Sequence, residues 1–217
     1  MPGHADTDPR RPVTVIILAG GRGARMGQLD KGQLPWGSCT LLEHIVVRAA
    51  AVAQEVLIVG GDAQELPAPA VGVTDVYAHC GPLGGLHAGL GAARFEACLA
   101  LGCDMPFVGE AVMRALLDLG ADCDAVVPRA ADGLHPLLAA YSRRCLSAIE
   151  AQLRNGDRRM VSFLDAVDAR WATEDDLRPF DPDLLCFFNI NTWQDYERAL
   201  EIARAADSVH SRTSQQR

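Results

Sequence analysis

Val13-Thr14-Val15-Ile16-Ile17-Leu18 is a nearly unbroken apolar run that ends directly in Ala19-Gly20-Gly21-Arg22-Gly23-Ala24-Arg25-Met26-Gly27. A strand with no polar alternation is buried on both faces, as in a parallel sheet covered by helices. The rest of the chain repeats that theme. Thr40-Leu41-Leu42-Glu43 is a capping box that predicts a helix to about Ala53. Strands are predicted over Glu55–Gly60, Val71–Tyr77, Cys98–Cys103, Ala125–Pro128 and Leu134–Tyr141. Helices are predicted over Gly85–Phe95, Glu110–Leu119 and Arg144–Leu153, and from Thr192-x-x-Asp195 toward Ala206. Strands spaced by helices of this length give a three-layer α/β domain with a mostly parallel sheet. Ligands of such sheets bind beyond the carboxyl ends of the strands, where the strand order reverses.

One such domain spans Val13 to Asp207, flanked by polar stretches, Met1–Pro12 and Ser208–Arg217, predicted as flexible tails. A net charge of −8 argues against a general nucleic-acid binder. The seven cysteines occur singly, without a C-x-x-C pair or a metal-like pairing with histidine. With no apolar run approaching membrane-spanning length and no signal peptide, the expectation is a reducing, cytoplasmic setting without membrane contact.

Against that acidic background the glycine-rich stretch is locally cationic. Four glycines in eight residues leave backbone N–H groups uncovered, and Arg22, Arg25 and Lys31 surround them. Oriented amides with flexible cations suit a polyphosphate, whose charge lies on several oxygens. The alternative is a plain strand-to-helix turn, which has no need of three cations. Neither common phosphate fingerprint fits: Lys31 follows Asp30 rather than glycine, and Met26 stands where a third dinucleotide-loop glycine would be.

Leu18-Ala19-Gly20-Gly21, Arg25-Met26-Gly27 and Asp30-Lys31 resemble the signature of nucleotidyltransferases that make activated phosphates. Within that superfamily the chain is most similar to the molybdenum cofactor guanylyltransferase family, over about Ile17 to Ala199. The resemblance implies a Rossmann-like nucleotidyltransferase fold. It assigns nucleotide binding to Leu18, Ala19, Gly20, Gly21, Arg22, Gly23 and Lys31, and catalytic roles to Arg25, Lys31 and Asp104.

Three later stretches match the family in register. Asp75 followed by Gly81-Pro82-Leu83-Gly84-Gly85 corresponds to an element that holds base and ribose, with Asp75, Gly81 and Pro82 as its contacts; helix-entry chemistry is the other reading. Leu99-Ala100-Leu101-Gly102-Cys103-Asp104-Met105-Pro106 ends an apolar strand in one carboxylate. Mg²⁺ takes a few hard oxygens and completes its shell with water and phosphate, so Asp104 is the expected ligand; a helix cap is the alternative. Cys103 reads as a buried filler rather than a nucleophile. Phe187-Phe188-Asn189-Ile190-Asn191-Thr192 places two asparagines two apart, so that on an extended segment both face one side. The family resemblance assigns Asn189 and Asn191, with His135 of His135-Pro136-Leu137 and the pair Arg158 and Arg159, to the acceptor side. Gly60-Gly61-Asp62 is a departure, since relatives often carry asparagine there to recognise the nucleotide.

The implied reaction joins GMP from GTP to the terminal phosphate of molybdopterin, with Mg²⁺ as cofactor and pyrophosphate as product. GTP and molybdopterin are then the small-molecule partners, with molybdenum insertion proteins and target molybdoenzymes as further ones. A CTP-dependent or sugar-phosphate nucleotidyltransferase, or a protein that binds GTP without turnover, stay open as alternatives.

Overall fold

A computed structural model describes residues 11–19, 30–60, 67–77 and 80–206, with the backbone of the last helix continuing to 214. The first strand, β1 (Arg11–Leu18), sends Val13, Val15 and Ile17 into one core cluster and Ile16 and Leu18 into another. That two-sided burial explains its apolar run. Thr14, the polar exception, donates through Oγ1 to Glu55 Oε2 at 2.6 Å. A short hairpin follows, β2 (Pro35–Trp36) and β3 (Cys39–Thr40), leading into α1 (Leu41–Ala50). The predicted capping box is formed: Thr40 N donates to Glu43 Oε2 at 2.6 Å and Glu43 N to Thr40 Oγ1 at 3.2 Å. The helix stops at Ala50, short of the expected end, because Ala53 already pairs with Arg11 as the first residue of β4 (Ala53–Val59).

Next come β5 (Val71–Val73), α2 (Gly81–Ala92), β6 (Ala97–Gly102), α3 (Glu110–Leu119), β7 (Ala125–Ala130), β8 (Gly133–Leu134) and β9 (Leu138–Ser142). The chain closes with α4 (Leu146–Arg154), β10 (Ala169–Thr173), α5 (Glu174–Leu177) and α6 (Trp193–Ser214). The sheet order is β10-β7-β9-β6-β1-β4-β5, with β8 paired to β7. It is mostly parallel; β9 runs antiparallel to both its neighbours, and β8 to β7. One face is covered by α1, α3 and α6, the other by α2 and α4. The chain moves outward from β1 to β4 and β5, then returns to β6 on the other side of β1. The order therefore reverses between β1 and β6, and the crevice expected there lies at their carboxyl ends.

Several boundaries differ from the sequence expectation. The helix expected from Gly85 begins at Gly81, with Pro82 in its first turn, where a missing N–H costs nothing. Gly84, Gly85 and Gly89 form a packing face. A Cβ on Gly85 would lie 2.9 Å from Leu18 Cδ2, and one on Gly89 2.4 Å from Ile16 Cγ2. The single strand expected over Leu134–Tyr141 is two, broken at Pro136, which cannot donate to a ladder. Regular structure after β4 covers only Val71–Val73 of Val71–Tyr77. The hairpin, β10 and α5 went unread, being two to five residues each and too short for a periodic signal. Thr192 and Asp195 cap α6 as expected, but its backbone runs on through Asp207 to Ser214, into the stretch expected as a tail. The predicted N-terminal arm lies, up to residue 10, outside the described residues. No helix of the described residues is long and apolar enough to cross a membrane.

Candidate active site

Two backbone clips define the mouth of the crevice. Ala19 N donates to Val59 O at 2.9 Å, and Cys103 N donates to Leu18 O at 3.2 Å. The entrance to the glycine loop is therefore held between the ends of β4 and β6. Gly20, Gly21, Arg22, Gly23 and Arg25 themselves lie outside the described residues.

Beyond the loop, Asp30 accepts from Gly32 N through Oδ1 at 2.9 Å and so builds the 3-10 turn Lys31–Gln33. That turn aims Lys31 at the carboxyl end of β6. Its Nζ lies 2.8 Å from Asp104 Oδ2 and 3.0 Å from Asn191 Oδ1. Ile190 N donates to Asp104 O at 2.9 Å, which docks the segment before α6 onto the turn that carries the aspartate. Three stretches thus meet at one point, although Asp104 lies 73 and Asn191 160 residues from Lys31 in sequence. The Lys31 and Asp104 side chains are 12% and 23% exposed, so the pair is sheltered yet reachable. Asp195 is a second carboxylate beside this cluster. It accepts from Asn191 N at 3.0 Å and Thr192 N at 2.8 Å. Desolvation would raise its pKa, but bonds from Thr192 and Asn191 and the charge of Lys31 hold it below the usual value.

The other expected residues divide. Asp75 accepts from Tyr77 N through Oδ1 at 2.9 Å, and a Cβ on Gly84 would lie 3.3 Å from that same oxygen. Asp75 therefore sits against the start of α2 with Gly81, whose φ of +63° favours glycine, and the exposed Pro82. Asn191 faces Lys31 as the two-residue spacing implied, but Asn189 turns its amide nitrogen onto Phe187 O at 2.9 Å. His135 packs its ring 4.5 Å from that of Phe187 and pairs with Asp132 Oδ1 at 2.8 Å, so it belongs to the wall beside the asparagine segment. Arg159 forks onto the carboxylate of Asp157, at 2.7 Å for the shortest contact, and its bonds hold that carboxyl well below the ordinary range. Arg158 is exposed. Among the described residues the Arg159 guanidinium bonds only to Asp157, and its carbonyl accepts from Gln152 Nε2 of α4 at 2.6 Å, so the structure does not bring it to the Lys31–Asp104 cluster.

Burial, then the nearby charges of Asp104 and Asp30, push the Cys103 thiol up to about 12, and it carries no thiolate near neutral pH. Gly102 was missed. A Cβ there would lie 2.8 Å from Asp104 Oδ1, so the carboxylate rests over a bare α-carbon. A glycine closing an apolar strand just before the carboxylate was the available signal.

Residues 15–171 match the model of the MobA-like NTP transferase domain, a span that includes the second half of β1, Lys31, Asp75, Asp104 and His135. The chain belongs to the MobA-like NTP transferase family. Among its relatives in that family, a probable molybdenum cofactor guanylyltransferase of Pelotomaculum thermopropionicum is 37% identical over 191 residues, 88% of this chain and 93% of the relative. The molybdenum cofactor guanylyltransferase of Desulfosudis oleivorans is 36% identical over 86% of this chain and 94% of its own length. A solved structure, the molybdopterin-guanine dinucleotide biosynthesis protein A of Archaeoglobus fulgidus, superposes with a TM-score of 0.76 at 29% identity. It covers 88% of this chain and 99% of its own. Asn189, Asn191 and Thr192 lie beyond the span of the domain model, and the Lys31–Asn191 contact ties them to it.

Proposed function

We propose that this family member transfers GMP from GTP to the terminal phosphate of molybdopterin and releases pyrophosphate. The observation that carries the reading is the meeting of Lys31, Asp104 and Asn191 where the strand order reverses, beside the entrance to a glycine-rich loop. The relatives' names supply the donor base and the acceptor.

In the reaction an acceptor phosphate oxygen forms a bond to the α-phosphorus of GTP, and the bond from that phosphorus to pyrophosphate breaks. The acceptor oxygen is already a nucleophile, so no side chain need activate it. Catalysis reduces to alignment and charge neutralisation. Lys31 donates to the α-phosphate, where charge develops, and leaves Asp104 to do so. Asn191 holds the ammonium on course through its Oδ1.

The site suits Mg²⁺. Lys31 already places a positive charge against hard oxygen donors, Asp104 Oδ2 and Asn191 Oδ1. Among the described residues no cluster of three His, Cys, Asp or Glu side chains could hold a metal alone. A cation that draws most of its shell from water and phosphate fits such a sparse set. Asp104 would hold it, and when bound it would neutralise phosphate charge. Asp75, Gly81 and Pro82 form the base-side wall. His135 and Asn189 line the acceptor side, with Arg158 and Arg159 as more distant contributors. On this reading the enzyme works in the cytoplasm and hands its product on to molybdenum insertion proteins and molybdoenzymes.

The test measures pyrophosphate from GTP or CTP, with and without molybdopterin, and identifies the product by mass. Release from GTP that depends on molybdopterin is expected. Predominant cytidylyl product overturns the base assignment, and GTP binding without release overturns catalysis.

A further inference from the structure

We propose that His44 and Arg48, one turn apart on α1, are positioning residues that hold the turn carrying Asp104 in its working place. Three alternate carbonyls of that turn are each gripped from outside. Asp104 O accepts from Ile190 N at 2.9 Å, Pro106 O meets His44 Nε2 at 2.9 Å, and Val108 O accepts from Arg48 Nη1 at 3.2 Å. Pro106 brings no N–H to the turn, so the turn has one backbone donor fewer and relies the more on contacts to its carbonyls. Burial and the neighbouring Arg48 lower the His44 pKa, which keeps the ring neutral. Its one N–H then points at Pro106 O, fixing the Nε2–H tautomer.

The ring also packs. His44 lies 5.5 Å from Trp36, Trp36 5.8 Å from Phe107, and Phe107 5.6 Å from Phe188, beside Asn189. Helix α1 is thereby coupled to both loops that meet at Lys31. A side chain that meets a phosphate or metal is only as well placed as its backbone, and an error near 1 Å costs ~100-fold in rate. The inference rests on the reading of Asp104 as the metal-binding carboxylate.

Two substitutions separate the donated bond from the packing. His44→Phe keeps a ring against Trp36 but removes the donor; His44→Gln keeps a donor at similar reach but loses the ring. Full-length variants are compared for thermal melting, for Mn²⁺ binding by electron paramagnetic resonance with GTP present, and for turnover. The expected result is that His44→Phe melts near the parent, binds Mn²⁺ about tenfold more weakly, and loses about 10- to 100-fold in kcat with little change in KM for GTP. His44→Gln should recover kcat to within a few-fold of the parent, and Arg48→Met should resemble His44→Phe in milder form. If His44→Phe matches the parent in Mn²⁺ affinity and kcat, the positioning role is overturned. It is equally overturned if His44→Gln is as impaired as His44→Phe. Asp104→Asn is the control: if it retains Mn²⁺ binding and turnover, the metal assignment itself has failed, a result distinct from failure of the positioning role.

Discussion

Replacing Gly102 with alanine adds one methyl group and tests how closely Asp104 must be placed. Gly102 is buried at the end of β6, with no positive φ that would strain an alanine. The new Cβ would lie 2.8 Å from Asp104 Oδ1 and 3.5 Å from Met105 Cγ and Sδ. Ordinary contact begins near 3.4 Å, so the carboxylate must retreat by about 0.6 Å while Met105 can stay. Oδ2 of the same group holds Lys31 at 2.8 Å, and moving one oxygen moves the other. A misplacement of 1 Å at a reacting centre costs ~100-fold, so 0.6 Å predicts a loss of roughly 10-fold or somewhat more, ~1.4–2 kcal/mol of activation free energy. Folding should barely notice. The clash is with the end of a partly exposed side chain, and an alanine in place of glycine restricts the unfolded chain by ~0.4–1 kcal/mol in favour of the fold. The assay pairs molybdopterin-dependent pyrophosphate release at saturating GTP with a thermal melt. A variant with the parent's rate and melting temperature would show that Asp104 tolerates displacement and refute the reasoning. A variant that melts far lower would make Gly102 a packing residue instead.

Three further outcomes follow from the same geometry. Lys31→Ala should lose ~100-fold or more in turnover at saturating GTP, while its binding of GTP changes far less, because the ammonium acts where charge develops; steady-state kinetics beside direct GTP titration measures the split. Cys103→Ala should keep the parent's rate and pH profile, and the native thiol, with a pKa pushed up to about 12, should resist iodoacetamide at neutral pH, as peptide mapping would report. Gly89→Ala should destabilise the fold by ~1–3 kcal/mol, since its Cβ would meet Ile16 Cγ2 at 2.4 Å in the core between α2 and β1; denaturant melts measure it.

Much of the fold was legible because it depends on local rules. The β1 run carries no alternation since both its faces are buried, and the capping boxes at Thr40 and Thr192 are short-range chemistry. What misled was glycine. Gly81 to Gly89 read partly as loop because glycine disfavours helices, yet here the absent side chains let α2 lie against Leu18, Ile16 and the Asp75 turn. Tertiary closeness overrode propensity, and nothing local to α2 announces that neighbour.

The site shows the same limit at a finer scale. Lys31, Asp104 and Asn191 could be named from sequence because each ends a short pattern, but their meeting is a property of strand order. Asn189 marks where the reasoning stopped. A spacing of two puts Asn189 and Asn191 on one side of an ideal strand, but this segment leaves a 3-10 turn, Leu185–Phe187, whose last carbonyl lies within reach of the Asn189 amide. A short polar side chain takes a nearby backbone partner when one is offered. Asn191 instead presents its Oδ1, an acceptor, to the Lys31 ammonium. His44 and Arg48 were invisible for the opposite reason. On α1 they read as the polar edge of an amphipathic helix, and only the return of the chain from β6 places Pro106 O and Val108 O above them. Residues that touch the reaction carry motifs, whereas residues that hold them in place need only a donor at the right height on a helix.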